Sequence, residues 1–300
     1  MARRKILFLI NPVSGTRNKL PLEKKIILRC LENAISFEIM PTSADKNYSF
    51  LKDKIEDDKI TDIIICGGDG TLSPVIAEVL QSKVNIGIIP MGSGNGLAFT
   101  AKIPRAVNAA LDVIFRGKTK RVDAFFINGQ LSCMLCGIGL DAQVAHDFSL
   151  QEKRGLITYV QQTFKNFLSA KTYLFEIKNP QINFKTDAFF LCIANSNQFG
   201  NNFTIAPKAK LNDGLLDIII VKKMSKPSVI WSVLNQVKNG RVSGYEEKNF
   251  HNKSVIYFQT DRLQIINHHM APLHIDGDWT GSDKTFDIEI LPSAFKLIIP

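Results

Sequence analysis

The sequence predicts an α/β N-terminal domain with a parallel sheet and glycine-rich loops, followed by a β-rich C-terminal domain with an antiparallel, sandwich-like arrangement. The chain has 300 residues, a length at which single hydrophobic cores usually divide. Apolar runs alternate with amphipathic stretches up to residue 122. Beyond that point short apolar runs follow one another with few helical stretches between them, which is typical of an antiparallel β domain.

Four strands and four helices are predicted in the first domain. The strands cover residues 5–11, 36–40, 62–66 and 85–90, and the helices cover residues 21–32, 47–57, 72–81 and 104–116. This alternation indicates a parallel sheet with helices on both faces. Ligands of such sheets bind beyond the carboxyl ends of the strands, so the loops that follow the strands are the candidate site.

The second domain is predicted to contain seven strands and one helix. The strands cover residues 122–127, 131–136, 173–177, 188–194, 215–221, 254–259 and 262–266, and the helix covers residues 156–170. We therefore place the first domain at residues 1–122 and the second at residues 123–288. The apolar tail over residues 289–300 is predicted to pack back on the first domain.

Composition and cysteine usage predict a soluble cytoplasmic protein. Hydrophobic residues make up 45% and charged residues 22% of the chain, as in ordinary folded domains. The N-terminal apolar run ends at Asn11-Pro12, and no run approaches the ~18 residues of a membrane span. Five scattered cysteines, an odd number, favour buried thiols in a reducing compartment. Cys133 and Cys136 are accordingly interpreted as core thiols.

The positive charge of the chain predicts an anionic partner. The formal net charge is +9, which suits nucleotide phosphate, an anionic lipid surface or nucleic acid. The basic residues are dispersed, and neither zinc-finger spacing nor another nucleic-acid motif is present. We therefore predict no nucleic-acid partner and favour peripheral contact with a membrane.

Glycine-rich loops follow three of the predicted strands. The strongest is Gly67-Gly68-Asp69-Gly70-Thr71, which follows a buried strand and precedes a helix. Glycines let the backbone approach a phosphate closely, and the N–H groups at a helix start attract negative charge. The other two are Asn11-Pro12-Val13-Ser14-Gly15 and Pro90-Met91-Gly92-Ser93-Gly94-Asn95-Gly96. Their convergence at one sheet edge predicts a phosphate site.

These loops resemble those of the diacylglycerol kinase catalytic-domain family, which includes bacterial diacylglycerol and phosphatidylglycerol kinases, sphingosine kinases and ceramide kinases. The resemblance covers nearly the whole chain. It continues through Gly137-Ile138-Gly139-Leu140-Asp141-Ala142, Ala206-Pro207, Asn212-Asp213-Gly214-Leu215-Leu216-Asp217 and Ile275-Asp276-Gly277-Asp278. It implies an ATP-dependent, Mg²⁺-dependent kinase that phosphorylates a lipid hydroxyl at a membrane surface, in a cleft between a nucleotide-binding domain and a lipid-substrate domain.

The resemblance also implies roles for individual residues. Asp276 matches the proposed general base of bacterial members, whereas sphingosine kinases give that role to the aspartate matching Asp69. The segment matching Lys210, Asp213 and Leu215 holds a structural Mg²⁺ in bacterial members, with backbone carbonyls at the first and last. The residues implied to contact ATP are Asn11, Pro12, Val13, Ser14, Gly15, Thr42, Gly67, Gly68, Asp69, Gly70, Thr71, Leu72, Ser73, Ser93 and Asn95.

Two departures from the family pattern leave the acceptor lipid open. Asp278 stands where the family usually has glutamate. The loop over residues 92–96 resembles sphingosine and ceramide kinases more than the Gly-Thr-x-Asn-Asp loop of many bacterial diacylglycerol kinases. Diacylglycerol, phosphatidylglycerol, a sphingoid base and ceramide therefore remain candidate acceptors. The phenylalanines of the second domain are expected in its core, with an acyl-chain cleft as the alternative.

Two other functions are also compatible with the sequence. An NAD kinase-like enzyme shares the Gly-Gly-Asp-Gly loop, and a non-catalytic lipid- or nucleotide-binding regulator would share the fold. Retention of Asp69, Asp213 and Asp276 argues against the regulator. His268, His269 and His274 are interpreted as surface or strand residues without a catalytic role. A homodimer is an open alternative to a monomer.

Overall fold

The computed structural model describes residues 4–15, 18–151, 156–200, 203–223 and 255–300. The chain divides into two compact units, Met1–Val122 with Ser293–Pro300 and Asp123–Pro292. Within the described ranges, no helix combines the length and the apolar character needed to cross a bilayer. All five cysteines are buried free thiols.

The first unit is a parallel sheet with helices packed against it. Its elements are β1 (Lys5–Ile10), α1 (Leu20–Glu32), β2 (Ser36–Pro41), α2 (Phe50–Asp57), β3 (Asp62–Gly67), α3 (Asp69–Val79), β4 (Asn85–Pro90), α4 (Gly96–Thr100) and α5 (Val107–Arg116). The strands lie in the order β2-β1-β3-β4 and are parallel. Lys296 and Leu297 pair in parallel with the outer side of β4.

Strand β1 shows how the sheet receives helices on both faces. Its side chains alternate between the faces, and all of those from Ile6 to Ile10 are buried. Ile6, Phe8 and Ile10 belong to one core cluster with Ile26 of α1 and Ile114 of α5. Leu7 and Leu9 point to the opposite face, so the strand is apolar along its whole length.

The second unit is built from antiparallel pairs. Its elements are β5 (Thr119–Ile127), β6 (Gln130–Ser132), β7 (Leu135–Gly139), α6 (Leu140–Ser149), α7 (Leu156–Ser169), β8 (Tyr173–Lys178), β9 (Asn183–Ala194), β10 (Gln198–Gly200), β11 (Phe203–Thr204), β12 (Leu216–Lys222), β13 (Val255–Thr260), β14 (Arg262–Asn267), β15 (Leu273–Ile275), β16 (Asp278–Gly281) and β17 (Thr285–Ile298). The strand order is β16-β15-β7-β9-β8-β14-β17, and β12 pairs with β9 and β13. Phe125, Phe175 and Phe286 are fully buried in its core.

The predicted fold class is confirmed, and the differences lie at individual elements. Helix α3 begins at Asp69 rather than at residue 72, because the last glycine of the loop is already helical. The predicted strand over residues 131–136 is divided, since β6 ends at Ser132 and β7 begins at Leu135. Helices α4 and α6 and strands β10, β11 and β15 to β17 have no counterpart among the predicted elements. The predicted strand start at residue 254 lies outside the described residues.

An ion pair with Arg4 fixes the start of β1. Its guanidinium donates from Nε to Asp62 Oδ2 (2.8 Å) and from Nη2 to Asp62 Oδ1 (3.2 Å). It also donates to the carbonyls of Ile114 (2.7 Å) and Phe115 (3.1 Å) near the end of α5. Asn85 Nδ2 donates to Asp62 Oδ1 (3.0 Å). Arg4 therefore joins β1 to β3 through a carboxylate that is only 2% exposed, and to α5 through two backbone carbonyls.

We expect Arg4→Ala to lower the free energy of unfolding by about 2–4 kcal/mol, because it leaves the Asp62 carboxylate buried without its cation. Urea denaturation measures the change. The matched control is Lys5→Ala, which removes a pair with Asp58 whose side chains are 26% and 37% exposed. Such an exposed pair contributes less than about 1 kcal/mol. Equal losses for the two variants would contradict this role of Arg4.

Candidate functional site

Three loops meet at the carboxyl edge of the first unit's sheet. Asn11 N donates to Cys66 O (2.9 Å), and Asn11 Nδ2 donates to Thr71 Oγ1 (3.0 Å). Met91 N donates to Gly67 O (2.9 Å). The loops after β1, β3 and β4 are therefore joined by hydrogen bonds. They bring together most of the residues that the sequence singled out in this unit.

Two glycines in this edge pack backbone against backbone. A Cβ atom added to Gly68 would lie 2.9 Å from Gly92 Cα, and one added to Gly92 would lie 2.5 Å from Gly68 Cα. Real Cβ atoms essentially never come so close to other backbone. Because neither residue can carry a side chain, the loop before α3 and the loop after β4 lie against each other directly.

Asp69 and Asn95 fix the loop after β4. Gly96 N donates to Asp69 Oδ2 (3.1 Å). Asn95 Oδ1 accepts from Gly92 N (2.8 Å), and its Nδ2 donates to Gly92 O (2.6 Å). Asn95 has φ 57° and is 2% exposed. Its amide group is thus engaged within its own loop, which indicates a positioning role.

The other sequence-predicted residues of this unit differ in exposure. Pro12, Val13, Gly15 and Ser93 are exposed, whereas Asn11, Ser14, Thr42, Gly68, Asp69 and Gly70 are half-buried and Gly67, Thr71, Leu72 and Ser73 are buried. Thr42 N continues the edge by donating to Ile10 O (3.0 Å). Leu72 and Ser73 lie beyond the first turn of α3, with their side chains in the interior.

Lys19 is a basic residue of this edge that the sequence reasoning missed. Its ammonium group donates to the carbonyl of Ser14. Burial lowers the pKa of Lys19 from its usual value. The signal in the sequence was a lysine five residues after the serine of a glycine loop. Because dispersed lysines are common in this chain, that signal was not distinctive.

Asp276 lies in the second unit at the centre of a donor cluster. Its Oδ1 accepts from Ser132 Oγ (2.7 Å), Leu135 N (3.0 Å) and Met134 N (3.2 Å). Its Oδ2 accepts from Cys133 N (3.1 Å). The residue is 7% exposed and has φ 51°. Four donors stabilise the ionised carboxylate, and they run from the last residue of β6 to the first residue of β7.

His274 lies in strand β15, one of the two placements that the sequence interpretation allowed, and it is buried beside this turn. Its Nε2 lies 3.1 Å from Asp141 Oδ2, and its Nδ1 lies 3.2 Å from Gly277 N. The N–H of Gly277 can only donate, so Nδ1 is the acceptor and Nε2 carries the proton. A Cβ atom on Gly137 would lie 2.1 Å from Asp141 Oδ2, which explains the glycine at that position of β7.

Asn195 links the Asp276 cluster to the segment predicted to bind metal. Its Nδ2 donates to Asp123 O (2.7 Å) and Cys133 O (3.1 Å), and the side chain is fully buried. Asp123 N in turn donates to Leu211 O (2.7 Å). No pattern in the sequence distinguished Asn195 beyond its place after an apolar run.

The loop with Lys210, Asp213 and Leu215 turns at Gly214, whose φ is +72°. Gly214 N donates to Asp123 Oδ2 (2.8 Å), and Leu215 N donates to Asp213 Oδ1 (3.3 Å). No cluster of three or more histidine, cysteine or acidic side chains suited to a metal occurs in the described ranges. A cation here would therefore depend on backbone carbonyls and water as well as Asp213.

The charges around this loop fit a divalent cation. Asp217 is fully buried, and burial raises its pKa to about 7, with the negative charge of Asp213 acting in the same direction. Asp123 is also buried. Of these carboxylates, Asp213 lies in the turn and Asp123 contacts it at Gly214 N. Carboxylate and carbonyl oxygens with added water are the ligands that Mg²⁺ prefers, so the donor set suits that ion.

Two family models match the chain. The diacylglycerol kinase catalytic domain matches residues 5–127. The YegS C-terminal NAD kinase beta sandwich-like domain matches residues 135–299. The two matches together span both units of the structure.

Individual proteins with similar sequences carry a kinase name. The chain is 26% identical over 246 residues to a protein of Yersinia enterocolitica named probable lipid kinase YegS-like, covering 79% of this chain and 78% of that one. A protein of the same name from Shewanella frigidimarina is 26% identical over 282 residues, covering 92% and 87%. A crystal structure of a diacylglycerol kinase from Bacillus anthracis str. Sterne covers 100% of this chain and 98% of its own, with 20% identity and a TM-score of 0.75. At that identity the structural likeness concerns the fold alone.

We expect Gly92→Ala to lower the free energy of unfolding by about 1–3 kcal/mol and to weaken ATP binding at least about tenfold, because the loop must move away from Gly68. Denaturation and titration calorimetry measure the two effects. The matched control is Gly87→Ala in β4. A Cβ atom there would meet only the end of the Ile64 side chain (2.4 Å) and two other side chains of the core. It should lower stability without changing the affinity of the folded protein. Unchanged affinity in Gly92→Ala would contradict the importance of the glycine contact.

We expect His274 to be observed as the neutral tautomer with the proton on Nε2, since Gly277 N occupies Nδ1. Long-range ¹H–¹⁵N correlation spectra of the imidazole measure this. In Gly137→Ala the added methyl group would displace the buried His274–Asp141 pair. We expect the correlations of the Nε2-protonated ring to be lost and the free energy of unfolding to fall by roughly 3 kcal/mol. A proton on Nδ1 in the wild-type protein would show that the assignment is wrong.

Proposed function

The chain belongs to the diacylglycerol kinase catalytic-domain family, and from this premise we propose that it transfers the γ-phosphoryl group of ATP to the hydroxyl of a diacylglycerol-like or sphingoid lipid. The family is one of lipid kinases, so the coarse activity follows from membership. The acceptor class, the base and the metal are proposals of ours. The observation that carries the proposed use of ATP is the glycine contact at the start of α3, where backbone can approach a polyphosphate.

The first unit is proposed to bind ATP at this edge. The first N–H groups of α3 have no partner within the helix, and they favour negative charge. Gly67, Gly68 and Gly92 leave that backbone uncovered by side chains. Asn11 and Thr71 orient the neighbouring loop, and Lys19 adds a positive charge. We therefore propose that the residues implied by the resemblance from Asn11 to Gly15, with Thr42, Gly67 to Ser73, Ser93 and Asn95, form the nucleotide site. Asn95, Leu72 and Ser73 act in it by shaping the backbone.

The second unit is proposed to supply the base. A carboxylate accepts the proton of the attacking hydroxyl while the phosphoryl group is transferred. Asp276 is held in position by Ser132 and the amides after it. Oδ1 already accepts three hydrogen bonds. We therefore propose that Oδ2 is the atom that accepts the proton of the lipid hydroxyl. Asp69 is the alternative base. Its contact with Gly96 N is equally compatible with a second role, in which Asp69 orders the phosphate loops.

Lys210, Asp213 and Leu215 are proposed to hold a structural Mg²⁺, through two backbone carbonyls and one carboxylate. Bound there, Mg²⁺ would supply positive charge among the carboxylates of Asp123, Asp213 and Asp217. Since the proposed acceptor is a lipid, we propose that the protein works peripheral to a membrane, and its buried free thiols favour the cytoplasm. Its partners are then ATP and the lipid.

A second candidate acceptor is NAD. The model that matches residues 135–299 describes its domain as NAD kinase beta sandwich-like. This is a likeness of architecture. The Gly92–Gly96 loop and the late Asp276-Gly277-Asp278 favour the lipid.

One experiment tests these alternatives. Purified full-length protein is incubated with γ-labelled ATP, Mg²⁺ and one acceptor at a time: diacylglycerol, phosphatidylglycerol, sphingosine or ceramide in mixed micelles, or NAD in solution. Label in the organic phase supports the proposal. Label on NAD supports the second candidate. Tight ATP binding with no transfer to any acceptor would indicate a non-catalytic regulator and overturn the proposal.

We expect Asp276→Asn to lower kcat by about 10²–10⁴-fold. Its amide would also oppose a backbone N–H, so stability must be measured beside activity. Ser132→Ala is the matched variant, because it removes one donor and leaves the carboxylate. If Asp276 is the base, that variant stays active and the acid limb of its pH–rate profile moves to higher pH, since the ionised carboxylate has lost a hydrogen bond. Near-normal kcat in folded Asp276→Asn, with loss in Asp69→Asn, would assign the base to Asp69.

A further inference from the structure

The outward face of α1 is apolar. Leu22, Ile26 and Cys30 pack into the core of the first unit. On the opposite side, Leu20, Ile27, Leu28 and Leu31 are 60%, 40%, 57% and 67% exposed. At 100° per residue these four side chains fall within an arc of about 100°. A surface helix normally carries polar residues there.

This clustering is unusual for the chain. Eight large apolar side chains are exposed in the described ranges, and four of them lie on this single helix of 13 residues. Apolar residues scattered singly over a surface need no explanation, whereas a contiguous apolar patch indicates an interaction site. We call the patch formed by Leu20, Ile27, Leu28 and Leu31 the α1 apolar face.

Positive charge accompanies the α1 apolar face. Lys24 lies at its centre on the helical projection, and Lys25 lies beside it, both exposed. Glu32, at the end of the helix, is paired with Arg29. An apolar helix face with lysines among the apolar side chains is typical of helices that lie in the interface of an anionic bilayer.

We propose that the α1 apolar face docks on the surface of an anionic phospholipid membrane. The inference rests on the proposed function, since a lipid kinase must meet its acceptor at a membrane. The leucines and the isoleucine enter the boundary between headgroups and acyl chains, and Lys24 and Lys25 contact lipid phosphates. Lys19, the residue before the helix, contacts Ser14 of the first glycine loop. Docking of α1 would therefore hold that loop near the bilayer surface.

A second copy of the chain fits this face less well. The helix is only about 20 Å long, whereas a stable interface between two copies needs about 800 Å² from each partner. In a two-fold dimer the same patch meets itself, which would place Lys24 against its own copy at the centre of the contact. An anionic surface instead complements that lysine.

The test is binding of the full-length protein to vesicles by co-sedimentation, without ATP. The vesicles are phosphatidylcholine with about 30 mol% phosphatidylglycerol, or phosphatidylcholine alone. We expect the wild-type protein to bind the anionic vesicles more tightly. Leu28→Gln with Leu31→Gln should weaken this binding at least about tenfold. Lys24→Glu should weaken binding to the anionic vesicles and leave binding to neutral vesicles unchanged.

The matched control is Leu150→Gln, which removes a leucine that is 68% exposed in the second unit. It should bind vesicles as the wild type does. Equal binding by the double variant would overturn the proposal. So would a wild-type dimer, seen by light scattering, that the double variant converts to a monomer with unchanged vesicle binding, because the face would then be a contact between copies.

A second assay separates failure of this inference from failure of the proposed function. Dioctanoylglycerol below its micellar concentration serves as an acceptor that needs no membrane. The double variant should phosphorylate it as fast as the wild type and lose activity only toward acceptor in vesicles. No transfer to any lipid by the wild type would refute the kinase proposal, while vesicle binding would still report on the α1 apolar face.

Discussion

The contact between Gly68 and Gly92 is the constraint on which the candidate nucleotide site depends. It brings the loop after β4 against the start of α3 without any intervening side chain. Asp69 can then accept from Gly96, and Asn95 can close its own loop. A polyphosphate is best bound by backbone N–H groups that it can reach directly. The glycines are thus required by the shape of the backbone surface, and the polar residues around them keep that surface in place.

The second unit orders the carboxylate of Asp276, the proposed base, by a different principle. Asp276, His274 and Asn195 are all buried and hydrogen-bonded to backbone. In a medium of low dielectric constant such bonds are strong, and a missing partner is costly. A network of this kind therefore holds the turn over residues 274–277 in one conformation. The backbone strain of the positive φ at Asp276 is balanced by the same contacts.

The sequence was sufficient for the fold class and for the glycine loops, because both depend on local patterns. Alternating apolar runs identify the sheet, and Gly67-Gly68-Asp69 marks the edge. The pairing of His274 with Asp141 depends on residues far apart in the chain, so no local pattern reports it. Asn95 shows another limit, since a motif identifies a residue without saying where its side chain points. The start of α3 was placed too late because glycines also signal loops.

Strand β17 has a consequence for how the protein is made. Its first part pairs with β14, whereas Lys296 and Leu297 pair with β4 of the first unit. Leu297 and Ile298 are buried there. During synthesis the first unit emerges from the ribosome early, yet its sheet lacks an edge strand until the whole second unit has followed. We expect β4 to remain an open edge during that interval, which is the state in which nascent β proteins are most prone to associate wrongly.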